Sequence, residues 1–398
     1  MLNRRSLRIK AMQAFYAFKQ AEKSNYLLAL DRINDIFVPD LNSMQKQDTR
    51  QLEGNRQLAN LLFEEHYHQP NAAVSDENTS IEVLVAVTNA INYYHQQVKK
   101  DGQFYAKHML AEVEKIYDRY LLILLLLIEM ATMVKEEEEN RQKKYLKAYT
   151  SFPGDLKLYN NRIIRSLMTY KPLELEAIKR GLNWSQEQSL LRNVYNSVLK
   201  TDPDYLEYVK KAESSLEEDR KMVNHILKSL VFKQELLRNY FEEADMNWIE
   251  NSVIIRSLLS KTIKLIEERD AEDGEGAIEL LALSMNWEDD RDFFLSLYQY
   301  TLDHDEAYEK LIVDKVQNWD TERVAMIDKI LLKMAISEMV SFPSIPVKVT
   351  INEYIELSKL YSTPKSRHFI NGVLDVIATD LINSGVIRKS GRGLIDNQ

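Results

Sequence analysis

The chain contains few of the residues that reverse a polypeptide backbone. Only 10 glycines and 8 prolines occur in 398 residues, well below the usual shares of roughly 7% and 5%. Sheet proteins need many more, because each hairpin reverses through such residues. Long helices joined by short polar turns need few, and the abundant Leu, Glu, Lys and Ala are good helix formers. The sequence therefore predicts an all-α protein.

Several kinds of chemical site are excluded by the sequence. There is no cysteine, so disulfides, thiolate zinc ligands and a cysteine nucleophile are ruled out. No glycine-rich phosphate loop, GxSxG or HExxH motif occurs. His66 and His68 would point apart on a helix, which makes them poor joint ligands. We therefore expect no enzymatic activity, no catalytic residue, no metal and no cofactor.

The sequence also bears on the compartment. The longest apolar run covers residues 121–128, which is too short to span a bilayer. No secretory signal is visible. Together with the lack of cysteine, this predicts a cytoplasmic protein without membrane contact.

Charge is distributed unevenly along the chain. The net charge of −9 argues against a surface coated for general nucleic-acid binding. Residues 1–20 nevertheless carry five Lys or Arg and no acid, and residues 347–398 carry seven against five Asp or Glu. The two ends are therefore basic, while the acids concentrate in the middle.

The first helix is expected to begin near Asn3 and to run past Phe18. One apolar stripe at helical spacing predicts its buried face: Leu7, Ala11, Ala14, Phe15 and Phe18. Arg4 and Arg8 lie one turn apart on another face. The pattern alone leaves three interpretations open: a solvated basic face, a transit peptide, or an RNA contact.

An internal repeat is visible in the second half of the chain. Asp219 lies 29 residues before Trp248, and Asp290 lies 29 residues before Trp319. Apolar positions coincide between the two segments. We interpret residues 215–265 as a diverged copy of the helical unit found at the end of the chain.

A helix–turn–helix corner is predicted near the C-terminal end. Thr350 followed by Glu353 has the pattern of a capping box, which predicts a helix start at Thr350. The polar turn 362–366 follows, with Ser366 as the expected N-cap of the next helix. Gly372 inside that helix costs about 1 kcal/mol relative to Ala, which predicts a close helix contact there.

The start of the second corner helix offers candidate contacts for RNA. Phe369 and Ile370 lie about 100° apart on a helix, so both need not enter the core. Beside Lys365 and Arg367, Phe369 provides a stacking platform for an unpaired base; core packing is the alternative. Asn371 is placed either for a side chain–backbone bond or for a base contact.

Three stretches of the sequence resemble the NusB family of transcription antitermination factors. The first is the arginine-rich segment RRSLRIKAMQAFY at 4–16. The second runs through 290–339 and includes Trp319 and MIDKIL at 326–331. The third is the corner at 345–375, with INEYIELSK and FINGVLD.

The resemblance implies a protein that binds the boxA element of ribosomal RNA leader transcripts. It implies joint action with ribosomal protein NusE in an antitermination complex on RNA polymerase. Tyr16 and Asp328 match family positions that face NusE. Lys365 falls where some members carry an acid. With the corner analysis, the expected RNA-binding residues are Arg4, Arg5, Arg8, Lys365, Arg367, Phe369 and Asn371.

The chain departs from compact family members by its length between the first two stretches. We expect NusB-like helical bundles with an additional helical domain inserted after the first helix. The predicted order is a basic first helix at 1–24, a helical insert at 25–275, the C-terminal core at 276–388 and a disordered tail at 389–398. The family does not imply what the insert does.

Two other functions remain open at this point. One is a helical protein–protein adaptor without RNA binding, which retention of the basic first helix argues against. The other is the RNA-binding module of a ribosomal RNA methyltransferase. That enzyme needs an α/β catalytic domain with cysteines, and this chain has no cysteine.

Overall fold

A computed structural model of the chain describes residues 1–42, 47–69, 79–145, 153–211, 213–271, 280–316 and 325–397. Within these ranges the regular structure is helical and contains no strand. The predicted all-α fold is therefore confirmed. None of the helices in the described ranges has the length and apolar character needed to cross a membrane.

Fifteen α-helices are found in the described residues. They are α1 Arg4–Ile36, α2 Thr49–His66, α3 Ile81–Tyr145, α4 Arg162–Thr169, α5 Lys171–Arg180, α6 Gln188–Ser197, α7 Pro203–Lys210, α8 Leu216–His225, α9 Glu235–Ala244, α10 Trp248–Ala271, α11 Trp287–Asp303, α12 Asp305–Lys315, α13 Met326–Ser341, α14 Val347–Tyr361 and α15 Ser366–Asn383. A π-helix, Ile226–Val231, continues α8, and a 3₁₀ helix, Gly391–Asn397, follows α15.

The chain forms two compact units. The terminal unit contains residues 4–111 and 288–398, and the central unit contains residues 1–3 and 112–287. Residues 25–111, which the sequence assigned to an insert, thus pack with the two ends of the chain. The division into a family core and an insert remains a prediction.

In the terminal unit, α1 buries the apolar stripe expected from the sequence. Leu7, Phe15 and Phe18 are almost fully buried, and each such side chain contributes about 1.5–3 kcal/mol by leaving water. Arg8 bonds to Glu338 near the end of α13, and Gln20 contacts Met326 at its start. The two helices therefore run antiparallel. The second half of α1 packs on α2 and α3.

Helices α13, α14 and α15 form the centre of the terminal unit. Most of α13 is buried, including the run from Ile330 to Met339. A helix that is apolar on nearly every side is expected in the middle of a bundle. Its neighbours α14 and α15 are amphipathic and cover it, which fixes the position of the turn between them.

Two local predictions about the corner are wrong. The helix α14 begins at Val347, after Pro346, and not at Thr350. Proline has no N–H to satisfy and its fixed φ suits a helix start. Thr350 therefore lies inside the helix and bonds to Glu338. Ser366 is the first residue of α15, not its N-cap.

The predicted close helix contact at Gly372 is also wrong. A Cβ atom built at Gly372 has no neighbour within 4 Å. The close contact occurs instead at Gly102 in α3, where a Cβ would stand 2.9 Å from Leu302 Cδ2 on α11.

The chain after α15 contacts the segment that follows α13. Ser390 N–H donates to the Pro343 carbonyl over 3.0 Å, and Lys389 Nζ donates to the Phe342 carbonyl over 3.0 Å. The 3₁₀ helix follows these two residues, and the disorder expected for 389–398 remains a prediction.

The central unit has its own core around three large aromatic residues. Trp184 Nε1 donates to the Leu122 carbonyl over 2.9 Å, and Tyr120 OH bonds to Thr262 Oγ1 over 2.7 Å. Phe241 is fully buried beside Trp184. The buried aromatic rings with satisfied polar tips are typical of a stable core.

The two segments of the predicted repeat have buried residues at equivalent positions. Asp219 lies in α8 and Asp290 in α11, and each helix is followed by a short helix and a longer one. Four of the five aligned apolar pairs are buried in both segments: Met222 and Phe293, Val223 and Phe294, Leu237 and Tyr308, Phe241 and Ile312. In the fifth pair, Leu236 is half-buried and Ala307 is exposed. Trp319 lies outside the described residues. Common ancestry of the two segments therefore remains a prediction.

Candidate nucleic-acid interface

Arg8 lies inside the terminal unit and not on its surface. Its Nε and Nη2 donate to the two carboxylate oxygens of Glu338, each over 2.7 Å. Arg8 is 3% exposed and Glu338 is 0% exposed. Burial disfavours the charged guanidinium, but the bonds to Glu338 outweigh this and raise the pKa of Arg8. The expected phosphate contact by Arg8 is therefore not available in this structure.

Glu338 accepts further hydrogen bonds from α14. The Thr350 hydroxyl donates over 2.9 Å and the Tyr354 hydroxyl over 3.3 Å. The carboxylate thus joins α1, α13 and α14, and its buried charge is matched by four donors. Its position, an acid inside the mostly apolar and buried run of α13, is a sequence signal for a buried partner cation.

Arg4 and Arg5 remain partly accessible although both face acids. Arg5 Nε and Nη2 donate to Glu353 over 2.9 and 2.8 Å. This bonding lowers the pKa of Glu353 against the opposing effect of burial. The Arg4 guanidinium lies 4.9 Å from the centroid of the Phe293 ring and 3.6 Å from Asp290. The side chains of Arg4 and Arg5 are 44% and 45% exposed.

Asp328 holds the turn between α14 and α15. Its Oδ1 accepts from the Ser362 hydroxyl over 2.5 Å, and its Oδ2 accepts from the Ser366 hydroxyl over 2.6 Å. The residue is 5% exposed. Both carboxylate oxygens are therefore engaged within the fold, and a direct partner contact by this side chain is not available in this structure.

The turn presents a group of cations beside an aromatic ring. Ile370 takes the fully buried position, while Phe369 is half-buried and Lys365, Arg367 and His368 are exposed. Within the described part of the chain no carboxylate pairs with Lys365 or Arg367; Arg367 Nε donates to His368 Nε2 over 3.2 Å. We call Lys365, Arg367, His368 and Phe369 the corner surface.

Asn371 and Tyr16 are two further expected contact residues, and they differ in their surroundings. Asn371 is half-buried. Its Nδ2 donates to Asp375 Oδ2 over 2.9 Å, one turn along α15, so the amide is bonded within its own helix. Tyr16 is 39% exposed on α1, between the contacts that Arg8 and Gln20 make with α13. It is the more accessible of the two expected partner residues.

The structure does not bring the two groups of RNA residues together. Arg5 lies at Glu353, whereas the corner surface follows the end of α14 at Tyr361. The nine residues from Glu353 to Ser362 correspond to about 13 Å along the chain at 1.5 Å per residue. One RNA chain would have to extend along α14 to meet both groups.

A cavity that no sequence pattern predicts lies beside this region. It has a volume of about 870 Å³ between α1, α12 and α13. Asp305 accepts from Lys19 over 2.9 Å and from Lys333 over 2.5 Å on its walls, and Glu309 contacts Lys333 over 2.8 Å and Lys329 over 3.0 Å. Lys19, Lys329 and Lys333 on its walls are thus paired with carboxylates.

One group of side chains has the spacing of a metal site, but its geometry fits hydrogen bonds better. Asp202, Asp204 and His225 of the central unit place ligand atoms within 4.8 Å of one another. However, His225 directs Nε2 to Asp202 (2.9 Å) and Nδ1 to Asp204 (3.2 Å). The two ring nitrogens point apart, so one ion cannot use both contacts.

Comparisons with known proteins agree with the resemblance seen in the sequence. The NusB family model matches residues 253–379. A protein from Salinibacter ruber named transcription antitermination protein NusB is 41% identical over 142 residues, which are 35% of this chain and 88% of the relative. A second protein of that name, from Chloroherpeton thalassium, is 41% identical over 106 residues, 27% of this chain and 50% of the relative. No solved structure matches the chain.

The helical terminal unit, with an exposed cationic corner and an arginine-rich first helix, is an all-α bundle. The match covers most of the Salinibacter ruber relative, and the chain belongs to the NusB family.

Proposed function

We propose that this protein is a non-catalytic RNA-binding transcription antitermination factor that acts in the cytoplasm. It binds boxA-type leader RNA of ribosomal RNA operons together with ribosomal protein NusE, in an antitermination complex on RNA polymerase. Family membership and the names of the relatives support the antitermination role.

The corner surface is the observation that carries the RNA-binding part of the proposal. Lys365 and Arg367 are exposed cations without a carboxylate partner in the described ranges, although the chain as a whole is acidic. Phe369, two residues after Arg367, is half-buried, while Ile370 fills the core position. Cations that contact phosphates beside a ring that stacks on a base are typical of single-strand recognition.

The other expected site residues take different roles in this proposal. Arg4 and Arg5 extend the RNA contact along α14, exchanging acid partners for phosphates. Arg8 and Asp328 act by positioning α1 and the turn. Tyr16 marks the accessible face for NusE.

The test measures binding of boxA-type RNA to the full chain by fluorescence anisotropy, with and without NusE. Phe369→Ala is expected to weaken binding by about 1–3 kcal/mol if the ring stacks on a base. Leu360→Ala is the matched control, because Leu360 is also a large apolar residue at this corner and is 65% exposed. Equal affinities of Phe369→Ala and wild type would remove the stacking contact from the proposal.

The cations are tested in the same assay. Replacing Lys365 and Arg367 by Gln should flatten the dependence of log affinity on log salt by about 1.4, at about 0.7 for each lost contact with a single strand. Lys359→Gln is the control, because Lys359 already pairs with Glu356 over 2.5 Å. Absence of any RNA binding at low salt would contradict the proposed function.

A protein adaptor without RNA binding is the second candidate. The observation in its favour is that Arg4, Arg5 and Arg8 all face acids in the folded chain. Two results together would favour the adaptor. The protein would bind NusE with the same affinity with and without RNA, and the protein without NusE would not shift RNA in a gel.

A further inference from the structure

The central unit contains a cleft lined by cations and by no carboxylate. It lies between the π-helix that follows α8 and the middle of α10, and its volume is about 320 Å³. The polar residues of its wall are Asn224, Lys228, Lys233, Arg256 and Ser260. Apolar side chains form the floor. Nothing in the proposed function uses this cleft.

The backbone brings these cations to one place. The Phe232 N–H donates to the Leu227 carbonyl over 3.2 Å, five residues back, which is the wider turn of a π-helix. Arg220 pairs with Glu267 over 3.2 Å, so α8 runs antiparallel to α10. Lys228, further along the π-helix, therefore lies opposite Arg256. Single π-turns of this kind are frequent at functional sites.

Arg256 is held in place by an aromatic stack. Its guanidinium carbon lies 4.5 Å from the centroid of the Phe232 ring. Phe232 stacks on Trp248 at 5.9 Å and 17°, and Trp248 stacks on Phe241 at 4.5 Å and 11°. One face of the guanidinium is thus covered, while the side chain as a whole remains exposed. A positioned, planar donor is the form of Arg that binds phosphate in a bidentate manner.

The cations of the cleft differ from other exposed lysines of the same unit. Lys179, Lys221 and Lys264 each pair with a carboxylate one turn away. Lys228, Lys233 and Arg256 have no ion pair within the residues that the structure describes. Three like charges around one small cleft repel one another, and an anion in the cleft removes this repulsion.

We propose that this cleft binds the phosphate backbone of single-stranded RNA, as a second contact besides the corner surface. This inference rests on the proposed RNA-binding function. RNA fits better than an acidic peptide, because the flat guanidinium and the neutral donors Asn224 and Ser260 suit the several oxygens of a phosphate. A volume of about 320 Å³ is at the lower end for small-ligand sites, roughly 300 Å³, which suits one nucleotide of a longer chain.

The experiment measures the salt dependence of single-stranded RNA binding to the full chain by fluorescence anisotropy. The triple variant Lys228→Gln, Lys233→Gln, Arg256→Gln should lower the slope of log affinity against log salt by about 2, from three contacts at about 0.7 each. The control triple variant Lys179→Gln, Lys221→Gln, Lys264→Gln makes the same change in net charge and should leave the slope close to that of wild type.

Two further measurements separate a phosphate contact from a structural effect. Arg256→Lys keeps the charge and loses the planar fork, so it should weaken RNA binding while leaving the slope nearly unchanged. The melting temperature of each variant should stay near that of wild type. Loss of binding only in variants that also unfold would overturn the proposal.

The outcomes distinguish this inference from the proposed function. If the corner variants weaken RNA binding and the cleft variants do not, the cleft inference fails and the proposed function stands. If the cleft variants weaken binding and the corner variants do not, the cleft inference stands and the corner surface is removed from the proposal as an RNA contact. If wild type binds no RNA at low salt, both fail. Displacement of the RNA by polyglutamate at equal charge concentration would show that the cleft takes acidic peptides, which also overturns the inference.

Discussion

Removal of Arg8 should destabilise the terminal unit, because Arg8 is buried in an ion pair with Glu338. Arg8→Ala deletes two of the four hydrogen bonds to Glu338, both from a charged donor and both 2.7 Å long. Bonds to charged groups contribute about 1.5–3 kcal/mol each, and breaking a buried ion pair costs about 3–5 kcal/mol in measured cases. Two such bonds together contribute about 3–6 kcal/mol, which overlaps the range for broken buried ion pairs. We therefore expect the free energy of unfolding to fall by about 3–5 kcal/mol.

Differential scanning calorimetry measures this loss. For a unit of roughly 200 residues each kcal/mol shifts the melting temperature by about 2–4 °C, so Arg8→Ala should lower it by roughly 6–20 °C. The double variant Arg8→Met, Glu338→Gln removes both charges and keeps an amide for the hydroxyls of Thr350 and Tyr354. It should recover at least about 2 kcal/mol, because no buried charge is left unpaired.

One result would refute this reasoning. If Arg8→Ala keeps the melting temperature of wild type within about 2 °C and still loses RNA affinity, then Arg8 reaches the RNA and the buried pair is not what stabilises the fold. Arg5→Ala serves as the control, because the Arg5–Glu353 pair is half-exposed and should contribute only about 0–1 kcal/mol.

Three other predictions concern stability. Asp328→Ala leaves the hydroxyls of Ser362 and Ser366 without their acceptor and should lower the free energy of unfolding by about 1–3 kcal/mol. Amide hydrogen exchange should become faster in the turn 362–366 only, and unchanged exchange there would contradict the role of Asp328 in holding the turn. Gly372→Ala should stabilise the protein by about 0.4–1 kcal/mol in urea unfolding, because nothing lies within 4 Å of the new methyl group; a loss of stability would show a hidden contact. Burial opposes the charge of Glu137, but its hydrogen bonds lower its pKa to about 2 from 4.5, so its contribution is present above about pH 4.5 and is lost as the pH falls towards 2. The free energy of unfolding of Glu137→Gln, measured by denaturant titration at several pH values, should therefore change less with pH in this window than that of wild type.

Sequence periodicity was sufficient to predict the all-α class and the buried faces of the first helix and of the second corner helix. The stripe Leu7, Phe15 and Phe18 is buried as expected, and so is Ile370 at the corner. These predictions depend on neighbours a few residues apart, for which the spacing of a helix determines which side chains share a face.

The role of individual charged residues could not be predicted in the same way. Arg4, Arg5 and Arg8 look alike in sequence, but Arg8 is buried and the other two are half-exposed. The difference comes from Glu338 and Glu353, more than 300 residues away in the chain, whose positions depend on the packing of three helices. The capping box at Thr350 failed for a related reason, since the hydroxyl found a buried carboxylate instead of a helix end.

The glycines show the same limit. A glycine inside a helix indicates either a close contact or a tolerated cost of about 1 kcal/mol, and the sequence does not distinguish them. Gly102 has the close neighbour, Leu302, and Gly372 has none.

The bond between Arg8 and Glu338 joins residues 330 positions apart, which sets an order of events during synthesis. At about 5–20 residues per second, α1 waits roughly 20–60 s on the ribosome before its partners in α13 and α14 exist. Nearly all of the central unit is translated within that interval and can fold first. Throughout it, the apolar stripe of α1 has no permanent cover, so we expect the newly made first helix to depend on a chaperone or on the ribosome surface until the last helices emerge.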